Sequence, residues 1–199
     1  GDSLSQVVDR ASLKTSISKE GQVLSEANYF VKNRGNAHFR VTLPTGKELW
    51  WAVPPDSEPG YGHPIMIDAA GLKQLIIYHP TAVTALDPAS GKIYWEVPYE
   101  VEMGMTIPTP VRSGSNLLVT SQYNGPRLLR LNLDHGGATL VWKGNGLSDQ
   151  GPASLNSTIS TPVIDGEYIY GVDYFGQLLC LELATGKQVW ESMALVEER

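Results

Sequence analysis

Tryptophan recurs in this 199-residue chain at an almost fixed interval. Trp50, Trp95, Trp142 and Trp190 are 45, 47 and 48 residues apart, and Trp51 is the one other tryptophan. A second mark keeps the same order: a proline in an apolar stretch, at Pro64, Pro110 and Pro162. Self-similarity at such a period describes copies of one supersecondary unit, each too small to bury its apolar surface alone and therefore stacked on its neighbours.

Between the marks the pattern is short, alternating and extended. From Pro162 the chain reads as four strands, at 160–165, 167–172, 177–183 and 187–192, with Asp-Gly, Tyr-Phe-Gly-Gln and Ala-Thr-Gly-Lys as the turns. The same four recur at 64–68, 75–79, 82–87 and 93–97, and again at 110–113, 117–121, 127–133 and 139–143. Upstream, 28–33, 37–43 and 46–51 match the last three strands of a unit, with a first strand placed near 22–26. A helix is admissible only in residues 2–14. Four strands per repeat of about 45 residues predict an all-β chain, a β-propeller of four-stranded antiparallel blades. About four blades are expected, at 15–53, 60–98, 105–143 and 158–192, forming one domain or part of one over 1–199.

Within each unit a Gly-Lys turn precedes the Trp by four residues at Gly46, Gly91 and Gly186. Glycine supplies the backbone freedom that a tight turn between third and fourth strands needs. Trp50, Trp95, Trp142 and Trp190 then fall on the fourth strand, where a large flat side chain can staple one blade to the next. Exposed binding aromatics are the other reading of the same four residues.

The run Ala85-Leu86-Asp87-Pro88-Ala89-Ser90-Gly91-Lys92-Ile93-Tyr94-Trp95 resembles the tryptophan-docking motif of the PQQ-repeat, or quinoprotein alcohol dehydrogenase-like, propellers. Residues 180–190 match it with Cys180 for the leading Ala and Glu182 for Asp. Residues 40–50 keep the Thr-Gly-Lys turn and the Trp, and the third copy, Asp134-His135-Gly136-Gly137, is degenerate. The resemblance covers roughly residues 20–192. It implies one of two kinds of protein: a dehydrogenase holding pyrroloquinoline quinone with calcium on the propeller axis, or a non-enzymatic scaffold such as the outer-membrane assembly lipoprotein. The dehydrogenases carry adjacent cysteines beside the quinone, and this chain has Cys180 alone. Asp149, Asn156 and Asp173 are the residue types of a calcium site, without its clustering. The resemblance also implies a periplasmic or cell-surface location in a bacterium.

Strand parity supplies a constraint of its own. When the four strands of a blade alternate in direction, the blade-to-blade loops and the turns between second and third strands share one face. That face is predicted to carry Arg34, Tyr61, His79, Tyr99, Tyr123, Arg127, Asp149, Asn156, Tyr174 and Phe175. Aromatics and arginines on loops of a rigid scaffold are the types that anchor binding, and ordinary turn residues are the alternative. The longest loop, 144–158, is polar and Gly/Ser-rich and holds the formal glycosylation sequon Asn156-Ser157-Thr158. Glu96, Glu100 and Glu102 read as a charged surface rather than an acid-base pair. His38, His63, His79 and His135 have no metal-ligand spacing, and no nucleophile motif is present, so no catalytic residue is assigned.

Composition narrows the partners. A net charge of −6 without a basic stripe argues against nucleic acid. One cysteine rules out an intrachain disulfide and a Cys-rich metal site, and Cys180 in Leu178-Leu179-Cys180-Leu181 reads as a buried thiol. No apolar run is long enough to span a bilayer as a helix. The expected partner is a protein, peptide or glycan. The family's propellers close with about seven or eight blades, so the expectation is a piece of a larger propeller, with a homodimer that completes the ring or four blades closing on themselves as the alternatives.

Overall fold

The computed structural model describes residues 6–17, 23–33, 39–42, 48–52, 60–134, 136–147, 149 and 154–194. The chain divides into two compact units, Gly1–Asn36 and Ala37–Arg199.

The first unit is a hairpin of β1 (Gln6–Ile17) and β2 (Val23–Asn33), paired antiparallel from Gln6 opposite Asn33 to Ile17 opposite Val23. Residues 2–14, where sequence admits a helix, are therefore extended from Gln6 onward; Val7, Val8, Thr15 and Ile17 are β-branched and favour that state. The strands expected separately at 22–26 and 28–33 are one strand, since no Gly or Pro interrupts Ser25-Glu26-Ala27-Asn28.

The second unit begins with the antiparallel pair β3 (Phe39–Thr42) and β4 (Glu48–Ala52). Three four-stranded antiparallel sheets follow, each in chain order. They are β5 (Ile65–Ala69), β6 (Leu72–His79), β7 (Ala82–Leu86) and β8 (Ile93–Pro98); β9 (Val111–Ser113), β10 (Asn116–Val119), β11 (Arg127–Asn132) and β12 (Gly137–Lys143); and β13 (Val163–Asp165), β14 (Tyr168–Val172), β15 (Leu178–Glu182) and β16 (Gln188–Ser192). The chain is all-β, and these sheets are blades of a partial β-propeller.

The core lies between consecutive sheets. Ile76, Ala85 and Trp95 meet Leu117, Val119, Leu129 and Leu131 of the next sheet. Leu118 and Leu128, on the other side of that sheet, meet Leu155, Ile169, Leu179 and Leu181. Middle strands covered on both faces need apolar residues at successive positions, which is why Leu117-Leu118-Val119 and Leu128-Leu129 are runs rather than alternations. Each such leucine contributes about 1.5–3 kcal/mol by leaving water.

The repeated turn is reproduced atom for atom. Gly91 N–H donates to Asp87 O and Asp87 N–H to Lys92 O, both at 2.8 Å; Gly186 to Glu182 O and Glu182 to Lys187 O repeat the pair at the same distances. Both glycines have left-handed backbones, φ +71° and +69°, and a Cβ at either would lie within 2.7 Å of a tryptophan ring. In each complete sheet the residue before the Trp, Tyr94, Val141 or Val189, is skipped in the pairing of the fourth strand with the third. A bulge of this kind twists a strand and re-aims the next side chain. The turn and the bulge together direct each Trp.

Candidate binding face

The loops on one side of the sheets are tied together across blades, as strand parity predicts. Tyr99 N–H donates to Thr81 O (2.9 Å) and Val101 N–H to Pro80 O (2.7 Å), so the loop leaving β8 runs along the β6–β7 turn. Glu102 N–H then reaches Asn124 Oδ1 in the β10–β11 turn of the next sheet (2.7 Å). The following loop repeats the scheme: Thr120 Oγ1 donates to Leu155 O (2.6 Å), Asn156 Nδ2 to Gln122 O (2.8 Å), and Ser157 and Ser160 both to Val172 O. Backbone held this way presents its outward side chains at low ordering cost.

Five of those side chains are large and apolar or aromatic. Tyr61, Met103, Ile159, Tyr174 and Phe175 are all more than half exposed or at the half mark, Ile159 at 78% and Met103 at 69%. Tyr174 and Phe175 meet edge to face with ring centroids 5.2 Å apart, and Tyr61 N–H donates to Thr106 Oγ1 (3.4 Å), beside the loop that carries Met103. Met103 has φ 55° and ψ 20° in the short turn Glu102–Gly104. A non-glycine residue in that region is strained, and it persists where surrounding bonds over-determine it. Sequence reading names neither Met103 nor Ile159; a loop methionine carries no pattern until its backbone and exposure are known.

Several predicted face residues work inside the fold instead. Tyr99 is fully buried, stacked on Tyr78 at 5.5 Å, its hydroxyl donating to Gly125 O. The Arg127 guanidinium lies 3.6 Å above the Tyr99 ring and donates to Pro98 O (3.0 Å), so this pair joins two sheets. Burial raises the pKa of both tyrosines, and for Tyr78 the neighbouring Tyr99 adds to it. His79 is buried with Nε2 2.8 Å from Thr84 Oγ1 and Nδ1 3.2 Å from Thr81 Oγ1. Thr84 spends its proton on Glu96 Oε2 (2.9 Å), so Nε2 carries a hydrogen. Burial lowers the His79 pKa, and Glu96 offsets this only in part.

The acidic and amide candidates are each engaged by protein groups. Asp149 accepts Gly146 N–H (2.8 Å), and Asp173 Oδ1 accepts Phe175 and Gln177 N–H, both at 2.9 Å, closing its own turn. Burial raises the Asp173 pKa against those bonds. Asn156 is fully buried with its amide committed to Gln122, so the sequon nitrogen is inaccessible in the folded chain. This donor set does not fit a calcium ion, and no group of three or more His, Cys, Asp or Glu is gathered among the described residues. Glu100 and Glu102 are exposed, and Tyr123 and His63 both have polar or ring partners. Arg34, His38, His135 and Gly46 lie outside the described residues. No helix among the described residues is long and apolar enough to cross a membrane.

The blade-docking residues divide into three kinds. The Trp50 ring covers Gly91 and its Nε1 donates to Pro88 O (3.1 Å); the Trp142 ring covers Gly186 and donates to Leu183 O (2.9 Å). Trp95 is as buried as Trp50 but donates to Gln74 Oε1 (2.8 Å) in its own sheet. Trp190 is 42% exposed and touches Tyr170 at 6.2 Å.

The family model described as outer membrane protein assembly factor BamB matches residues 33–193. The chain belongs to this family. The fold agrees: BamB from Moraxella catarrhalis superposes with a TM-score of 0.55 at 15% identity, over 94% of this chain and 62% of that one. The chain thus spans less than two thirds of that protein's length. The computationally designed Ika8 protein matches with a TM-score of 0.49 at 12% identity, over 94% of this chain and 49% of its own. No curated protein matches the sequence.

Proposed function

We infer that this chain is a non-catalytic binding or scaffolding propeller segment whose loop face takes a protein or peptide. The observation that carries the reading is the exposed apolar set Tyr61, Met103, Ile159, Tyr174 and Phe175 on hydrogen-bonded loops. Aromatic and methionine side chains on a fixed backbone are what protein interfaces enrich at their centres. Beside them, both ring nitrogens of His79 are engaged by threonine hydroxyls and Asp173 Oδ1 closes its own turn. A family described as outer membrane protein assembly factors supports a protein partner and a periplasmic or cell-surface site of action. A glycan is a less suitable ligand, because the Tyr174–Phe175 pair meets edge to face and offers no flat double platform. The same reading has a second copy of the chain completing the ring.

The test is photo-crosslinking from position 174 in bacterial envelope extract, with wild type and Phe175→Ala compared. A discrete adduct that the substitution abolishes supports the reading; crosslinks that ignore it overturn it. The rival, a quinone-dependent dehydrogenase, is tested by titrating pyrroloquinoline quinone with calcium against tryptophan emission. Saturation at micromolar quinone would overturn the scaffold reading.

A further inference from the structure

Charge is placed unevenly along the chain. The connections from one sheet to the next, 53–64, 99–110 and 144–162, carry Asp56, Glu58, Glu100, Glu102 and Asp149 and no lysine or arginine. The turns between second and third strands, 80–81, 120–126 and 173–177, add Asp173 and again no base. The remaining turns of the three four-stranded sheets are mixed: Asp87, Asp134 and Glu167 stand with Lys92 and Lys187.

Among the described residues these carboxylates border the exposed apolar side chains of the loop face. Glu100 and Glu102 are exposed, and Glu102 directly precedes Met103. Asp149 is exposed as well, and Gly146, whose N–H it accepts, lies against the backbone of Tyr123 and Asn124. That is the turn whose Asn124 side chain takes the Glu102 N–H, so acids from two different connections meet beside Met103. Ser157 and Ser160 both donate to Val172 O, which ties the loop of Ile159 to the start of the turn Asp173-Tyr174-Phe175. Of the bases next to this face, Arg127 covers the Tyr99 ring and donates to Pro98 O, and Lys143 is exposed at the close of β12.

An apolar patch rimmed by one sign of charge selects its partner twice. Its large side chains need apolar or aromatic counterparts, and the rim steers in the opposite charge over a range of about 8 Å at physiological ionic strength. Anionic lipid headgroups and nucleic-acid phosphates meet repulsion at such a rim. A protein segment that mixes aromatic or aliphatic residues with lysine or arginine satisfies both demands.

We propose that the loop face takes a basic, apolar segment of a partner protein, seated on Met103, Ile159, Tyr174 and Phe175 and oriented by Glu100, Glu102 and Asp149. This rests on the reading of the face as a protein-binding site and adds the charge of what it binds.

The test is fluorescence anisotropy of the full chain with three labelled peptides that share Phe and Leu anchors and differ in their spacer residue, Lys, Ser or Glu. The Lys peptide is expected to bind about tenfold tighter than the Ser peptide in about 0.05 M salt, with most of that advantage gone in about 0.5 M. Glu100→Lys with Glu102→Lys removes the preference. Asp165→Lys with Glu167→Lys, at the β13–β14 turn, changes the net charge equally and leaves it in place. Where the first pair fails to fold by circular dichroism, Glu100→Gln with Glu102→Gln replaces it and weakens the preference. Equal binding of the Lys and Ser peptides, tighter binding of the Glu peptide, or a preference lost equally in the Asp165 and Glu167 pair overturns the proposal. So does retention on phosphatidylglycerol vesicles, or a mass of two chains, that Phe175→Ala abolishes. Where Phe175→Ala weakens the Lys and Ser peptides alike and charge has no effect, the loop face stands and its proposed selectivity falls. The crosslink at position 174 reads the face independently.

Discussion

Trp142 and Trp95 sit at equivalent places in adjacent sheets and are anchored in opposite ways. Trp142 reaches into the following sheet and depends on its backbone: the left-handed Gly186 leaves room for the ring, and Leu183 O takes the indole proton. Trp95 faces a turn in which a Cβ on Gly136 would meet nothing closer than Leu72 Cδ1 at 3.8 Å. Its indole is satisfied at home, by Gln74, whose amide nitrogen donates in turn to Ala69 O (3.0 Å). A buried indole N–H must be paired, and either a neighbour's backbone or a buried side chain of its own sheet will do. The repeat preserves the tryptophan and lets its partner change.

Substitutions can break that contrast. Gly186→Val puts a branched Cβ into the Trp142 ring on a left-handed backbone and is expected to cost about 3 kcal/mol or more in urea unfolding. Gln74→Leu leaves the Trp95 indole N–H buried without an acceptor. The expected loss is about 1–3 kcal/mol, with a shift in tryptophan emission, and Gln74→Leu should leave the Gly186 junction unaffected. Gly136→Ala meets only Leu72 Cδ1 at ordinary contact distance and costs about 1–2 kcal/mol for its φ of +65°; parity with Gly186→Ala would show that the two turns are not distinct. The smallest effect concerns pH and leaves both tryptophans aside. Burial holds the folded His79 pKa below the ordinary 6.5, so the unfolded chain takes up a proton there that the folded chain does not. Its contribution is fully present above pH 6.5 and is lost as pH falls toward the folded value. His79→Gln should flatten the unfolding free energy over that window.

The legible part of the molecule was what local pattern encodes. Trp at intervals of 45, 47 and 48 residues, Pro in the same order, alternating strands and Gly-Lys turns place the three complete sheets in the right order. The β1–β2 pair is not legible because the alternation over Gln6–Ile17 and Val23–Asn33 is weak. The expected face residues that are described are mixed in exposure. Tyr174 and Phe175 point outward, whereas Tyr99, His79 and Asn156 point inward. Nothing in Pro98-Tyr99-Glu100 says that Arg127, 28 residues on, will cover the ring. The Gln74–Trp95 bond is invisible for the same reason: its partners lie on strands whose register must be known first.

By itself, then, the sequence determined the repeat, the antiparallel blades and the glycine turns, because periodicity and backbone sterics act over a few residues. Tertiary structure alone decided which tryptophan is capped by glycine, which by glutamine and which stands open. Those outcomes depend on which neighbouring sheet excludes water from each side chain, and the Val163–Tyr170–Cys180–Trp190 row shows it: composed like the buried row of β5–β8, it keeps Cys180 buried but leaves Val163 and Trp190 exposed, with no sheet over them among the described residues.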